Sequence, residues 1–258
     1  MVKQLKPAKH ILITGGSRGI GRAVAIGAGE RGWSVGVNYA GNEKAAAETV
    51  AAVKAAGGQA IAIQGDVASE ADVIAMFDAT MAAFGPLDGL VNNAGIVGPK
   101  QAFADYSLER MKRIFDINVL GAYLCAREAA RRMSTSRGSQ YGARGGSIVN
   151  LSSMAARLGS PGEYVDYAGS KGAIDTMTVG LARELAPEGI RVNAVRPGLI
   201  DTEIHASGGQ PDRAARLGAT TPMGRAGTAG EVAAAVLWLL EDSCDYLTAS
   251  LLDVAGGR

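Results

Sequence analysis

Tyr167 and Lys171 stand four residues apart in the stretch Tyr167-Ala168-Gly169-Ser170-Lys171. On a helix that spacing puts both on one face. A phenol at its ordinary pKa of about 10 is a poor proton donor or acceptor at neutrality. A nearby ammonium favours the phenolate and lowers that value. The pair is therefore a workable acid/base unit, although such pairs are also common on plain helix surfaces. Tyr164 is the rival phenol, but Ala168 sits four residues beyond it, so it lacks a tuning charge. His10 and His205 stand far apart without a carboxylate cluster and suggest no metal site. Cys125 and Cys244 have no metal spacing and form no disulfide framework, so a reducing, cytoplasmic compartment is expected.

The second chemical signal is Thr14-Gly15-Gly16-Ser17-Arg18-Gly19-Ile20-Gly21, directly after an apolar run. Its G-x-x-x-G-x-G spacing differs from the commoner G-x-G-x-x-G, but the physics is similar. Glycines allow positive φ and close backbone approach, and a helix starting near Gly19 adds its N-terminal dipole to a pyrophosphate site. Gly15, Ser17, Arg18, Gly19, Ile20 and Gly21 are thus candidate dinucleotide contacts. The loop has no Gly-Lys-Ser/Thr, which disfavours a triphosphate site. The choice of dinucleotide usually rests on the end of the second strand. Here that end reads Val37-Asn38-Tyr39-Ala40, without an acid. Arg18 and Asn38 are expected to face a 2′-phosphate, so NADP is the expected cofactor, with NAD as the alternative.

Apolar strands and helices alternate along the chain and must position these residues. Strands are predicted at His10–Thr14, Trp33–Asn38, Gln59–Gln64, Leu87–Val91, Ser147–Leu151, Ile190–Val195 and Leu251–Val254. Helices are predicted from the glycine turn to Arg31, over Asn42–Gly57, Ser69–Phe84, Ser107–Met133 and Tyr164–Ala186, and from Thr228 to Leu240. Asn42 and Ser69 read as N-caps, and Thr228-Ala229-Gly230-Glu231 as a capping box. Repeated βα units with near-continuous apolar strands imply an α/β fold, a mostly parallel seven-stranded sheet with helices on both faces. No linker divides the chain, so residues 1–258 read as one domain. The polar segment at about 201–227 follows the sixth strand, where insertions often cover a ligand crevice. Glycine at 36 of 258 residues, with few aromatics, suggests close helix–sheet packing. A net charge of +1 argues against nucleic acid or an anionic membrane as the main partner. No apolar run reaches the roughly 18 residues that span a bilayer, and Met1–Pro7 lacks a signal-peptide apolar region.

The ordered set Thr14-Gly15 to Gly19-Ile20-Gly21, Asp66-Val67, Asn92-Asn93-Ala94-Gly95, Asn118, Ser152-Ser153, Tyr167 with Lys171, and Arg196-Pro197-Gly198 resembles the compact branch of the short-chain dehydrogenase/reductase family. That branch includes 3-oxoacyl carrier-protein reductases and glucose or polyol dehydrogenases. The resemblance runs from about residue 9 to 256 and implies a single doubly wound, Rossmann-like domain. It implies that Gly15, Gly19 and Gly21 hold the pyrophosphate, and that Asp66 bonds the adenine amine with Val67 beside the ring. Asn93, Ala94 and Gly95 would line the cofactor cleft. Tyr167 would be the proton donor or base, and Lys171 would hold the nicotinamide ribose and tune Tyr167. Ser153 would bond the substrate oxygen, and Asn118 would hold a water linking Lys171 to solvent. Pro197-Gly198 would turn under the nicotinamide, Ile200 would offer a backbone N–H to the carboxamide, and Thr202 would lie near it. The spacing from Ser153 to Tyr167 is one residue longer than the family's commonest, and Ser152 would lengthen it further. Ser153 is therefore preferred.

The expected activity is an NADP(H)-preferring exchange of a small-molecule carbonyl and a secondary alcohol, by a homotetramer. A 3-oxoacyl carrier-protein reductase and a non-catalytic NADP sensor are the alternatives. Arg131, Arg132, Arg137 and Arg144 are weighed as a dock for an acidic carrier and expected to be a solvated basic surface. Ile96, Arg157, Tyr164 and residues 204–220 are expected to shape the substrate pocket.

Overall fold

Short Val, Ile and Leu runs bounded by turn residues form β1 (His10–Ile13), β2 (Ser34–Tyr39), β3 (Gln59–Gln64), β4 (Gly89–Asn92), β5 (Gly146–Leu151) and β6 (Ile190–Pro197). These observations come from a computed structural model that describes residues 8–258, so the reading of Met1–Pro7 lies outside the described residues. A two-residue pair, β7 (Ile200–Asp201) with β8 (Gly227–Thr228), brackets the segment after β6. With β9 (Leu251–Val254), the main sheet has seven strands in the order β3-β2-β1-β4-β5-β6-β9. Every pairing in it is parallel, not merely most.

The helices are α1 (Gly19–Glu30), α2 (Glu43–Ala55), α3 (Glu70–Phe84), α4 (Leu108–Phe115), α5 (Gly121–Met133), α6 (Ala155–Leu158), α7 (Val165–Leu185), α8 (Ile204–Ser207), α9 (Arg213–Gly218) and α10 (Ala229–Leu240). The expected caps form. Asn42 accepts from the Ala45 amide, Ser69 from the Asp72 amide, and Thr228 closes a capping box with Glu231. The single helix expected over 107–133 is instead α4 and α5 joined by a π turn, Asp116–Leu120. None of the helices among the described residues is long and apolar enough to cross a membrane.

Successive strand residues face opposite sides, and the core divides accordingly. Ile11, Ile13, Val35 and Val37 pack with Val24 of α1 and Val236 of α10. Leu12 turns the other way, toward Phe77 of α3 and Cys125 of α5. Burying each such side chain contributes roughly 1.5–3 kcal/mol before entropy is counted. Small residues let the layers close up. A Cβ on Gly36 in β2 would lie 2.6 Å from Thr80 Oγ1 of α3.

Candidate active site

The strand order reverses between β1 and β4, which places a crevice at the carboxyl ends of these strands. The glycine turn enters it from β1. Asn93 Nδ2 donates to the carbonyls of Thr14 and Gly15, both at 2.9 Å, and the Asn93 and Ala94 amides donate to Thr14 Oγ1. Gly15 and Gly19 have φ of +60° and +53°, where a side chain is strained. A Cβ on Gly21 would lie 2.5 Å from the Gly15 carbonyl oxygen, so the turn admits only glycine there. The N-cap Arg18 gives α1 no side-chain cap, and its first turn carries no acid. Such a helix start, with uncapped amides and a glycine cradle, fits the pyrophosphate of a dinucleotide. Ser17 is buried and its carbonyl accepts from Thr49 Oγ1, while Arg18 is exposed and, among the described residues, in no ion pair.

Asn38 lies elsewhere than expected. It is buried, and its Nδ2 donates to the Gly65 carbonyl at 2.9 Å and the Ile63 carbonyl at 3.3 Å, with Met76 Sδ also in reach. Its Oδ1 accepts from the Gly15 amide at 3.1 Å. Asn38 therefore braces the glycine turn against β3, with its amide turned away from any 2′-phosphate. The physical reason is strand register: the pairing of Asn38 with Ile63 points the side chain into the sheet–α3 layer. Val67 likewise turns its side chain inward, onto Gly121 of α5, so it could meet an adenine ring only through its backbone. Asp66 remains half-exposed, with Oδ1 accepting from the Ala68 amide and Oδ2 3.8 Å from the Arg113 guanidinium.

At the other end of the crevice, α7 carries Tyr167 and Lys171 on one face, with Nζ 5.6 Å from the phenol ring centroid. Lys171 Nζ donates to the Leu151 carbonyl at 2.7 Å. The Ser153 hydroxyl acts on the Tyr167 phenol, favouring its ionised form, and accepts from the Ala155 amide at 3.1 Å. Ser152 instead donates to the Lys171 carbonyl and is buried. Geometry thus brings Ser153, not Ser152, to the phenol. Asn118 lies in the π turn, where its Nδ2 donates to the Ile96 carbonyl and to Ser170 Oγ, and its Oδ1 accepts from the Ile96 amide. Gly95 lies between, and a Cβ there would sit 3.4 Å from Asn118 Oδ1 and 3.5 Å from Lys171 Nζ.

The expected acidification of Tyr167 is absent in the free protein. Burial pushes the phenol above its ordinary value, and the Ser153 hydroxyl and the Arg213 guanidinium offset this only in part. Burial also lowers Lys171 to about 8, with Asp175 pulling it back up. An ammonium that is itself costly to charge, and hydrogen-bonded to a carbonyl, gives the phenol little help.

A cavity of about 490 Å³ opens beside this group. Asn93, Gly95, Pro197, Gly198, Ile200 and Thr202 line it, together with Ile20 of the glycine turn. The Gly198 amide donates to the Val254 carbonyl, and a Cβ on Gly198 would lie 2.7 Å from Ala255 Cα, so the turn under the cavity is tightly packed. Tyr164 and Ile204 line the cavity as expected, but Ile96 and Arg157 do not. Arg157 pairs instead with Asp253 at 2.8 Å. Arg213, within the segment 204–220, lines the cavity as expected, but the sequence reading missed Glu163 and its pairing with Arg213 at 2.6 Å. They are fifty residues apart, and no local pattern links them. The four arginines weighed as a carrier dock each meet a carboxylate of this chain: Arg131 and Arg132 at Glu128, Arg137 at Glu188 and Arg144 at Asp88. Arg132 is buried, contrary to a solvated surface.

A family model described as enoyl-(acyl carrier protein) reductase matches residues 15–258. The uncharacterized oxidoreductase YgfF of Escherichia coli (strain K12) is 52% identical over 247 residues, covering 96% of this chain and 98% of that one. A short-chain type dehydrogenase/reductase from Mycobacterium marinum superposes with a TM-score of 0.89 at 36% identity, covering 98% of this chain and 96% of that one. A 3-ketoacyl-(acyl-carrier-protein) reductase from Brucella melitensis, complexed with NADH, superposes at 0.88 with 31% identity, covering 97% of this chain and 98% of that one. The chain belongs to the short-chain dehydrogenase/reductase family, and it is an NAD(P)-dependent oxidoreductase.

Proposed function

We propose that this protein interconverts a carbonyl and a secondary alcohol on a small molecule, with NADP(H) as the preferred cofactor. The observation that carries this reading is the convergence of Ser153, Tyr167 and Lys171 on one wall of a cavity that opens beside the glycine turn. When bound, the nicotinamide supplies or accepts the hydride. Gly15, Ser17, Gly19 and Gly21 hold the pyrophosphate, Asp66 the adenine amine, and Pro197, Gly198, Ile200 and Thr202 the nicotinamide end. Asn93, Ala94 and Gly95 wall the cleft between them.

In reduction, Tyr167 gives its proton to the substrate oxygen while the Ser153 hydroxyl donates a hydrogen bond to it. The raised pKa keeps the phenol protonated at neutrality, which suits a proton donor. Lys171 holds the nicotinamide ribose hydroxyls. Both amide hydrogens of Asn118 are taken, so a relay water beside it has the second lone pair of Oδ1 as its acceptor. Arg18, exposed at the start of α1, is the residue read as meeting a 2′-phosphate, and a β2 end without an acid to repel one supports this. The segment at 201–227 covers the cavity through Ile204, His205 and Arg213. Exposed Phe115 of α4, Leu120 of the π turn and Tyr123 of α5, with Trp238 and Tyr246 toward the carboxyl end, support assembly into a homotetramer.

The internally paired arginines favour a free small molecule over a carrier-bound acyl chain. An intact Ser153–Tyr167–Lys171 set favours an enzyme over a sensor. The test is oxidation of NADPH and NADH against a panel of ketones, aldehydes, sugars and 3-oxoacyl thioesters. The reading expects kcat/KM for at least one free carbonyl to be about tenfold higher with NADPH. A preference for NADH, or turnover confined to carrier-bound substrates, would overturn it.

A further inference from the structure

We infer that Arg110 and Asp166 are positioning residues that fix Tyr167, the start of α7 and the cavity-lining loop at 95–101 as one unit, an inference that rests on the reading of Tyr167 as the proton donor. The start of α7 poses a physical problem. Its N-cap residue, Tyr164, supplies no side-chain cap, yet the first amides of any helix need acceptors. Acceptors come from elsewhere. The Val165 amide donates to the Tyr106 hydroxyl at 3.1 Å, and the Tyr167 amide donates to Asp166 Oδ1 at 2.9 Å. Both acceptor side chains are held by one guanidinium. Arg110 donates from Nε and Nη2 to the two Asp166 oxygens at 2.7 and 3.2 Å, and its Cζ lies over the Tyr106 ring, 3.7 Å from the centroid.

The same guanidinium reaches the loop that carries Gly95 and Val97 into the cavity wall. Its Nη1 donates to the Pro99 carbonyl at 2.7 Å and to Gln101 Oε1 at 3.1 Å. A Cβ on Gly98 would lie 2.8 Å from Arg110 Nε, so the loop closes directly on the fork. That loop begins at Gly95, between Asn118 and Lys171, and the Lys100 amide reaches the Gly208 carbonyl of the covering segment. The pair itself is secluded, with the Arg110 and Asp166 side chains 9% and 2% exposed. A secluded pair of this kind adds little net stability and is better understood as a specifier of geometry. Here the fixed geometry is that of the residue next to Asp166, the phenol that transfers the proton. Lysine cannot replace arginine at such a forked, stacked site, because it has neither plane nor fork.

The test compares the wild type with Arg110→Lys and with the double variant Arg110→Met/Asp166→Asn, which removes the pair without stranding a buried charge. Cofactor affinity is read by NADPH fluorescence, turnover per bound cofactor by steady-state kinetics, and exchange of the Tyr167 amide by hydrogen–deuterium exchange. The expected result is NADPH affinity within about threefold of wild type, kcat per bound cofactor lower by about ten- to a hundredfold, and faster exchange at Tyr167. A merely structural pair would lower the folded fraction and leave kcat per bound cofactor unchanged. That outcome, in either variant, overturns the inference; if the double variant does not fold, Arg110→Lys decides alone. A wild type without turnover on any carbonyl would overturn the functional reading instead, and unchanged exchange at Tyr167 would then still overturn the clamp.

Discussion

Lys171→Met is expected to stabilise the free protein while abolishing its chemistry, and the gain should depend on pH in a way that identifies its cause. The ammonium is buried, with the Leu151 carbonyl as its hydrogen-bond acceptor. Burial lowers it from 10.5 to about 8, which corresponds to roughly 3 kcal/mol against the charged form. At or below pH 7 both folded and unfolded chains carry the proton, so the folded state bears the whole cost. Between about 8 and 10.5 the folded chain releases the proton while the unfolded chain keeps it. The unfolded state then binds more protons, and the stability of the wild type rises with pH relative to the variant. Met removes the charge at nearly the same volume but leaves the Leu151 carbonyl one hydrogen bond short, a loss of about 1 kcal/mol. The variant should therefore be more stable than wild type by about 2 kcal/mol at pH 7 and less stable by about 1 kcal/mol near pH 10.5. Urea unfolding of both proteins at several pH values measures the difference, in which other titrating groups cancel. A difference that does not change with pH, or a variant already less stable at pH 7, would refute the reasoning.

Other perturbations read other parts of the site. Asn38→Ala strips the acceptor from the Gly15 amide and the donor from the Gly65 carbonyl, and should cost about 2–3 kcal/mol in urea unfolding. It should weaken NADPH and NADH alike, since the side chain faces neither ribose. Gly21→Ala drives a Cβ against the Gly15 carbonyl; cofactor titration should show at least about tenfold weaker binding, with about 1–3 kcal/mol lost in stability. Arg213→Met removes a positive charge that pulls Tyr167 down, so the phenol should rise further. Because reduction uses the protonated phenol, the alkaline fall in the kcat profile should move to higher pH.

What was legible in the sequence was what local rules decide. Asn42, Ser69 and the Thr228–Glu231 box cap their helices through contacts within three residues, and all three form. The strand runs and their parallel pairing follow from apolar continuity, and the four-residue spacing of Tyr167 and Lys171 sets their shared face. What was not legible depends on register and on distant partners. The direction of Asn38 is set by how β2 lies against β3. The π turn at Asp116–Leu120 looks helical in sequence, and Asn118 within it is fixed by Ile96, which is remote in the chain. The upward shift of Tyr167 follows from burial in a cavity that no spacing reveals. Arg110 and Asp166 carry no motif, and their significance emerges only when α4 and α7 meet.

The central claim is that Tyr167 transfers the proton at the cofactor cleft. Tyr167→Phe keeps the ring and removes only the hydroxyl. Measured with NADPH and the best carbonyl of the panel, turnover should fall by about 10²- to 10⁴-fold while NADPH affinity stays within about threefold of wild type. Turnover within tenfold of wild type, at unchanged cofactor affinity, would contradict the account.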